Sequence, residues 1–246
     1  EVKRLAKKAN ENITHLIVSS ECTAKWYKSA FGVDDEKIFP IGLPRTDLML
    51  DDSKRQKMQE RFFEQYPDLR GKKITLYAPT FRDSQVENPK ICLDFDSLNQ
   101  CMEENEVLLI RLHPHVAEHC PVGIWDMYPD KIRNVSDYPG VATLLSVADQ
   151  LITDYSSIIY EYCLLERKMI FYAYDYEVFQ KDGRNFYEDY EKFVPGMIVY
   201  TQPELEKIWH TAYENDSQRE QFCGRIFKYQ DKNAVNRLLC LIFDKK

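Results

Sequence analysis

Short, unbroken apolar runs separated by longer amphipathic ones constrain this chain more than any other feature. Ile13–Val18, Ile74–Ala78, Val107–Leu112, Ile132–Val135, Leu151–Thr153 and Met169–Ala173 read as strands. Helical patterns lie between them, near Glu21–Ala30, Asp52–Tyr66, Phe95–Asn105, Val141–Ala148 and Ser157–Glu166. A strand with one wet face alternates apolar and polar residues, whereas a strand covered on both faces reads as continuous apolar sequence. These runs are of the second kind, and helices between them predict a parallel sheet with helices on both faces. After Pro203 the strand signals stop, and helical stretches follow near Glu204–Glu214, Ser217–Tyr229 and Asn233–Phe243. The expectation is an α/β domain over residues 1–200, with a C-terminal helical segment over 201–246 packed on it. Asp83–Lys90 and Tyr174–Gly196 read as long loops, a length usually tied to function.

In open parallel sheets ligands bind beyond the carboxyl ends of the strands. The residues that follow the strand candidates are Ser19-Ser20, Pro79–Asp83, His113-Pro114-His115, Asp154–Ser157 and Tyr174-Asp175. Asp154-Tyr155-Ser156-Ser157 follows a strand and opens a helix, so seryl hydroxyls and first-turn N–H groups can cradle an anion. A helix cap explains the same serines, and the two roles are compatible. Glu161, one turn further on, suits ribose hydroxyls or simply solvent. His113 and His115 flank a proline, and imidazole suits proton transfer or a developing phosphate charge. Arg45, Arg82 and Arg111 can each fork onto phosphoryl oxygens, and Arg82 is the favoured one. The alternatives are surface ion pairs for Arg45 and Arg111 and a local contact between Arg82 and Asp83.

Other chemistries find little support. The net charge is -7, so a nucleic-acid-binding surface is not expected, and any phosphate site must be a local basic pocket. Only 8 glycines are present, and no Walker, dinucleotide-fingerprint, nucleophile-elbow or zincin motif occurs. His119 and Cys120 lie near His113 and His115, but no second ligand pair completes a zinc site. Asp94-Phe95-Asp96 has the form of a metal-binding D-x-D, yet it precedes a helical run, where acids favour the helix dipole. The odd number of cysteines, 7, fits free thiols in a reducing compartment. The chain opens Glu1-Val2-Lys3 without a methionine, which suggests a piece of a longer protein.

Several of these segments, in this order, resemble the CDP-glycerol glycerophosphotransferase family, whose members build teichoic acids and capsule polymers. They are Ser19-Ser20-Glu21, Phe39–Asp47 (FPIGLPRTD), Leu76–Asp83 (LYAPTFRD), Ile110–His115 (IRLHPH), Asp149–Tyr162 (DQLITDYSSIIYEY) and Pro195-Gly196. The resemblance implies a GT-B architecture, of which this chain is the C-terminal, Rossmann-like, donor-binding half closed by C-terminal helices. It implies transfer of glycerol or ribitol phosphate from a CDP-polyol donor to a lipid-linked polyol-phosphate polymer, with release of CMP. Carried over by position, His113 is the catalytic histidine. Ser156, Ser157, Arg82 and Thr80 hold the donor diphosphate, and Glu161 and Asp154 lie at the nucleotide and ribose. His115, Arg45 and Arg111 are further candidates, and no metal or other cofactor is implied.

The family's second histidine belongs to an H-G-T-P motif that this sequence lacks. The acceptor half and the general base are therefore expected outside this chain. A cytoplasmic location at the inner face of the bacterial membrane, with peripheral association, follows from the lipid-linked acceptor. Two other readings remain open at this point. One is a non-catalytic nucleotide-binding or assembly domain. The other is a GT-B glycosyltransferase or epimerase using a sugar nucleotide.

Overall fold

The computed structural model describes residues 2–82, 91–119, 127–181, 186–212 and 216–243. Contacts divide the chain into two compact units, Glu1–Arg55 with Ser217–Lys246, and Gln56–Asp216. This grouping differs from the division at residue 200 expected from the sequence. Leu205 and Trp209 are fully buried in the core of the second unit, so the helix Gln202–Ile208 belongs with the sheet. The last two helices, Asp216–Ile226 and Ala234–Phe243, lie in the first unit.

In the first unit, β1 (Leu16–Ile17) and β2 (Ile38–Phe39) form a short parallel pair. Ser20 caps the helix Glu21–Phe31 in a reciprocal box with Thr23, and Gly32 ends that helix at φ 64°. The FPIGLPRTD segment is built for docking the last helix. Asp47 accepts hydrogen bonds from the N–H groups of Ala234 and Val235, both at 3.0 Å, and Arg237 Nε donates to Ile41 O at 2.7 Å. Gly42 sits at φ 89°, and a Cβ there would lie 3.2 Å from Arg237 Nη2.

The second unit holds six parallel strands: β3 (Lys73–Tyr77), β4 (Glu106–Ile110), β5 (Ile132–Asn134), β6 (Gln150–Thr153), β7 (Lys168–Tyr172) and β8 (Met197–Val199). Their spatial order is β5-β4-β3-β6-β7-β8. Counted from β3, that is 3-2-1-4-5-6, the doubly wound Rossmann order, whose direction of winding reverses between β3 and β6. β4 and β6 are buried along their whole length, which explains their unbroken apolar sequence. β8 carries no strong sequence signal. It lies so close to β7 that a Cβ on Gly196 would fall 2.5 Å from Met169 O, so the Pro195-Gly196 element serves strand packing. The expected loop Tyr174–Gly196 instead contains two short helices, Tyr176–Lys181 and Tyr190–Phe193. Asp83–Lys90 lies outside the described residues. Among the described residues no helix is long and apolar enough to cross a membrane.

At the amino ends of the strands, a buried carboxylate fastens the sheet to its last helix. Glu106, 1% exposed, accepts from Lys73 Nζ at 2.8 Å, Trp209 Nε1 at 3.1 Å and Glu103 N at 3.0 Å, and lies 2.9 Å from His210 Nε2. Lys168 Nζ donates to Ile208 O at 2.6 Å and Trp209 O at 2.9 Å, completing the helix terminus. Burial raises the Glu106 pKa, but the bonds from Lys73 and His210 outweigh it and bring it down from 4.5 to about 2. A carboxylate depressed on folding stabilises the fold above its unfolded pKa, and the gain is lost as pH falls from 4.5 toward 2. Glu106→Gln should therefore lower the unfolding free energy near pH 7 by roughly 3 kcal/mol. It should also flatten the acid limb, so that the variant and the unaltered chain converge near pH 2 in denaturant melts.

Candidate functional site

The reversal of winding between β3 and β6 opens a crevice at the carboxyl ends of these strands. Two loops enter it, Ala78–Arg82 after β3 and Asp154–Ser157 after β6. They are sewn together at their base. Ala78 N donates to Ile152 O at 2.9 Å, Thr153 Oγ1 to Ala78 O at 2.7 Å, and Thr80 N to Asp154 Oδ1 at 2.8 Å.

Arg82 lies at the centre and is 9% exposed. Its Nε and Nη2 fork onto Asp175 at 2.7 and 2.9 Å, Nη2 also reaches Asp154 Oδ2 at 2.9 Å, and Nη1 donates to Thr80 O. The rings of Tyr155, Tyr174 and Phe179 surround the guanidinium carbon, with centroids 5.0–5.5 Å away. Burial alone would lower the Arg82 pKa, but Asp175 and Asp154 more than offset it, so the guanidinium keeps its charge. Burial pushes the Asp154 carboxyl up, opposed by Arg82 and the Thr80 N–H. Tyr155 donates to Asp175 Oδ1 at 3.2 Å and stacks on Phe179 at 3.9 Å. Burial and the Asp175 charge hold its hydroxyl protonated.

Two of the expected residues are bonded extensively within the protein. Arg82, the favoured candidate for gripping the diphosphate, makes four hydrogen bonds to Asp154, Asp175 and Thr80. Asp154, a candidate for the nucleotide, is 1% exposed. Its Oδ1 accepts from Thr80 N and Tyr155 N, and its Oδ2 from Arg82. Both side chains cross-link the loops, and Arg82 also lines the adjacent cleft.

A cleft beside this network is lined by Thr80, Phe81, Arg82, His113 and Tyr174, among others. It brings together three of the expected residues. The exposed His113 packs its ring against Phe81, with centroids 4.6 Å apart. Thr80 Oγ1 is buried and has no hydrogen-bond partner among the described residues. A buried hydroxyl left in this state is a candidate ligand contact.

Ser156, Ser157 and Glu161 do not line that cleft. Ser156 Oγ accepts from Ile158 N at 3.4 Å, Ser157 is exposed, and Glu161 sits in the short helix Ile159–Tyr162. The helix expected over Ser157–Glu166 is split. A 3-10 turn covers Cys163–Leu165, and Glu166 is left-handed at φ 57°. Arg111 Nη1 is bound to Tyr138 O at 2.7 Å, and burial lowers its pKa. Arg45 is exposed in the first unit. The side chain of His115 and all of Cys120 lie outside the described residues. Among the described residues no group of three His, Cys, Asp or Glu could hold a metal ion. In the sequence Asp175 stands out only as a residue after a strand. That position was the signal for it, but no motif marked it.

Residues 2–244 match the family described as CDP-Glycerol:Poly(glycerophosphate) glycerophosphotransferase. The chain is 36% identical over 239 residues to the teichoic acid ribitol-phosphate polymerase TarL of Staphylococcus aureus, covering 95% of this chain and 42% of that protein. It is 32% identical to the teichoic acid glycerol-phosphate primase of Bacillus subtilis, covering 98% of this chain and 60% of that one. A histidine-to-asparagine variant of the wall teichoic acid polymerase TagF superposes with a TM-score of 0.85 at 26% identity. That match covers 98% of this chain and 60% of TagF. The chain thus spans between about two fifths and three fifths of the length of these relatives.

The two kinds of polar group in the crevice should respond oppositely to substitution. Thr80→Val keeps the shape and removes an unsatisfied hydroxyl, so stability should be unchanged or higher by up to about 1 kcal/mol. Asp154→Ala strips a partner from a buried guanidinium and should cost roughly 3–5 kcal/mol. Chemical denaturation of both variants measures this, and a large loss in Thr80→Val would contradict the orphaned hydroxyl.

Proposed function

The chain belongs to the CDP-glycerol:poly(glycerophosphate) glycerophosphotransferase family, and from that premise we propose that it forms the donor-binding part of a polyol-phosphate transferase. The donor is CDP-glycerol or CDP-ribitol, and the acceptor is the growing end of a lipid-linked polyol-phosphate polymer. The enzyme works in the cytoplasm against the inner face of the bacterial membrane. The observation that carries the reading is the convergence of Thr80 and His113 on one cleft beside the strand-order reversal, where Rossmann sheets receive nucleotides.

In this reaction an acceptor hydroxyl attacks the β-phosphorus of the donor, the new P–O bond forms, the bond to CMP breaks, and the hydroxyl proton passes to a general base outside this chain. Charge builds on the phosphoryl oxygens and on the departing CMP. Catalysis of such a step is mostly positioning and charge stabilisation. His113 reaches the cleft from the loop after β4 and is exposed, so its imidazole can meet the phosphates. The Thr80 hydroxyl supplies a second donor. Ser156 and Ser157, with the N–H groups that follow them, contact the diphosphate from the β6 side, and Glu161 receives the ribose. Arg82 contributes chiefly by fixing the two loops.

The relatives' names divide between ribitol and glycerol phosphate, and the reading covers both polyols. Calorimetric titration with cytidine, CMP, CDP, both CDP-polyols and UDP-sugars tests the reading. Cytidylyl diphosphates should bind at least about ten-fold tighter than cytidine or the uridine compounds. In the intact enzyme, His113→Ala should lower transfer about 100-fold or more while leaving the melting temperature unchanged. Preference for a UDP-sugar, or near-normal turnover in the variant, would sink the assignment.

A further inference from the structure

We propose that Asp175 is a positioning residue of the diphosphate site, acting through Arg82 and Tyr155 without touching the donor; the proposal rests on the donor-binding reading above.

Asp175 follows β7, and its carboxylate serves two partners on two other loops. It takes the Nε and Nη2 edge of Arg82 at 2.7 and 2.9 Å, and the Tyr155 hydroxyl at 3.2 Å. Each partner stands next to a group placed at the phosphates. Arg82 Nη1 holds the carbonyl of Thr80, while Asp154 holds the Thr80 N–H, so the peptides on both sides of Thr80 are gripped. Tyr155 immediately precedes Ser156-Ser157, and its ring is pinned on Phe179 at 3.9 Å. Tyr190 fastens the same loop by donating to Asp154 O at 3.1 Å.

One carboxylate therefore sets the position of both anion-facing loops. It also neutralises Arg82. With Asp154 and Asp175 both against it, the guanidinium faces two carboxylates and has little net charge to offer a diphosphate. The network trades electrostatic pull for geometry. It fixes the Thr80 hydroxyl and the seryl loop before the ligand arrives, so less ordering remains to be done on binding.

Titration of the chain with CDP and with cytidine separates positioning from other roles. In Asp175→Asn we expect CDP affinity to fall about ten-fold and cytidine affinity to stay within about two-fold. Tyr155→Phe removes only the hydroxyl held by Asp175 and keeps the ring stack; CDP affinity should fall about three-fold with an unchanged melting temperature. A rise in CDP affinity in Asp175→Asn would mean that Arg82, once released, grips phosphate directly, and would overturn the proposal. Unchanged CDP affinity in both variants would overturn it as well. So would joint loss of CDP and cytidine binding in Asp175→Asn alongside an unaffected Tyr155→Phe, since Asp175 would then be merely structural. If the unaltered chain does not prefer CDP to cytidine, the donor-binding reading itself falls and takes this assignment with it.

Discussion

The guanidinium of Arg82, buried between Asp154 and Asp175, is the interaction on which the crevice depends. A charge taken out of water costs several kcal/mol unless its surroundings bond it fully. Here the bonding groups come from three separate loops, after β3, β6 and β7. The desolvation cost can be offset only when all three loops are in place. A single ion cluster thereby couples the geometry of strands that are not all neighbours. The aromatic wall of Tyr155, Tyr174 and Phe179 excludes water from it and keeps the local dielectric low, which strengthens each bond.

The strand cores were legible in the sequence because burial on both faces leaves an unbroken apolar run. Val107–Leu112 and Met169–Ala173 each contain most of an observed strand, shifted by a residue or two. β8 was not legible. Only three residues long and half-covered at Met197 and Ile198, it has neither length nor continuity, and its place is set by a close approach at Gly196. The segment Tyr174–Gly196 read as loop because its few aliphatic residues hid its means of anchoring. Aromatic stacking does that work: Tyr155, Phe179, Phe186 and Tyr190 pack on one another at 3.9–5.8 Å.

The candidate site was half visible for a related reason. Position after a strand is a local property, and it brought out Thr80, Arg82, His113 and Asp154. Partnership is not local. Asp154 and Asp175 lie 72 and 93 residues from Arg82 in the chain. Read alone, an arginine at a sheet edge looks like a phosphate grip; its partners show that it also ties three loops together. The same holds for Asp47, part of a recognisable motif, whose carboxylate caps a helix that begins nearly 190 residues later.

The two edges of the six-stranded sheet treat their polar groups differently. At the amino edge, Glu106 meets four partners, and Lys168 closes the carbonyls of a helix end. At the carboxyl edge, charge is also paired, yet the pairing surrounds one hydroxyl, Thr80 Oγ1, that is buried and unserved among the described residues. Leaving such a group unsatisfied costs about 1–3 kcal/mol. Collapse of the loop would relieve that cost, and the Arg82 cluster, gripping the Thr80 backbone at both its N–H and its carbonyl, opposes the collapse. The rigidity of the cluster and the unmet hydroxyl are thus two parts of one arrangement: the first fixes, at the lining of the cleft, the residue that carries the second.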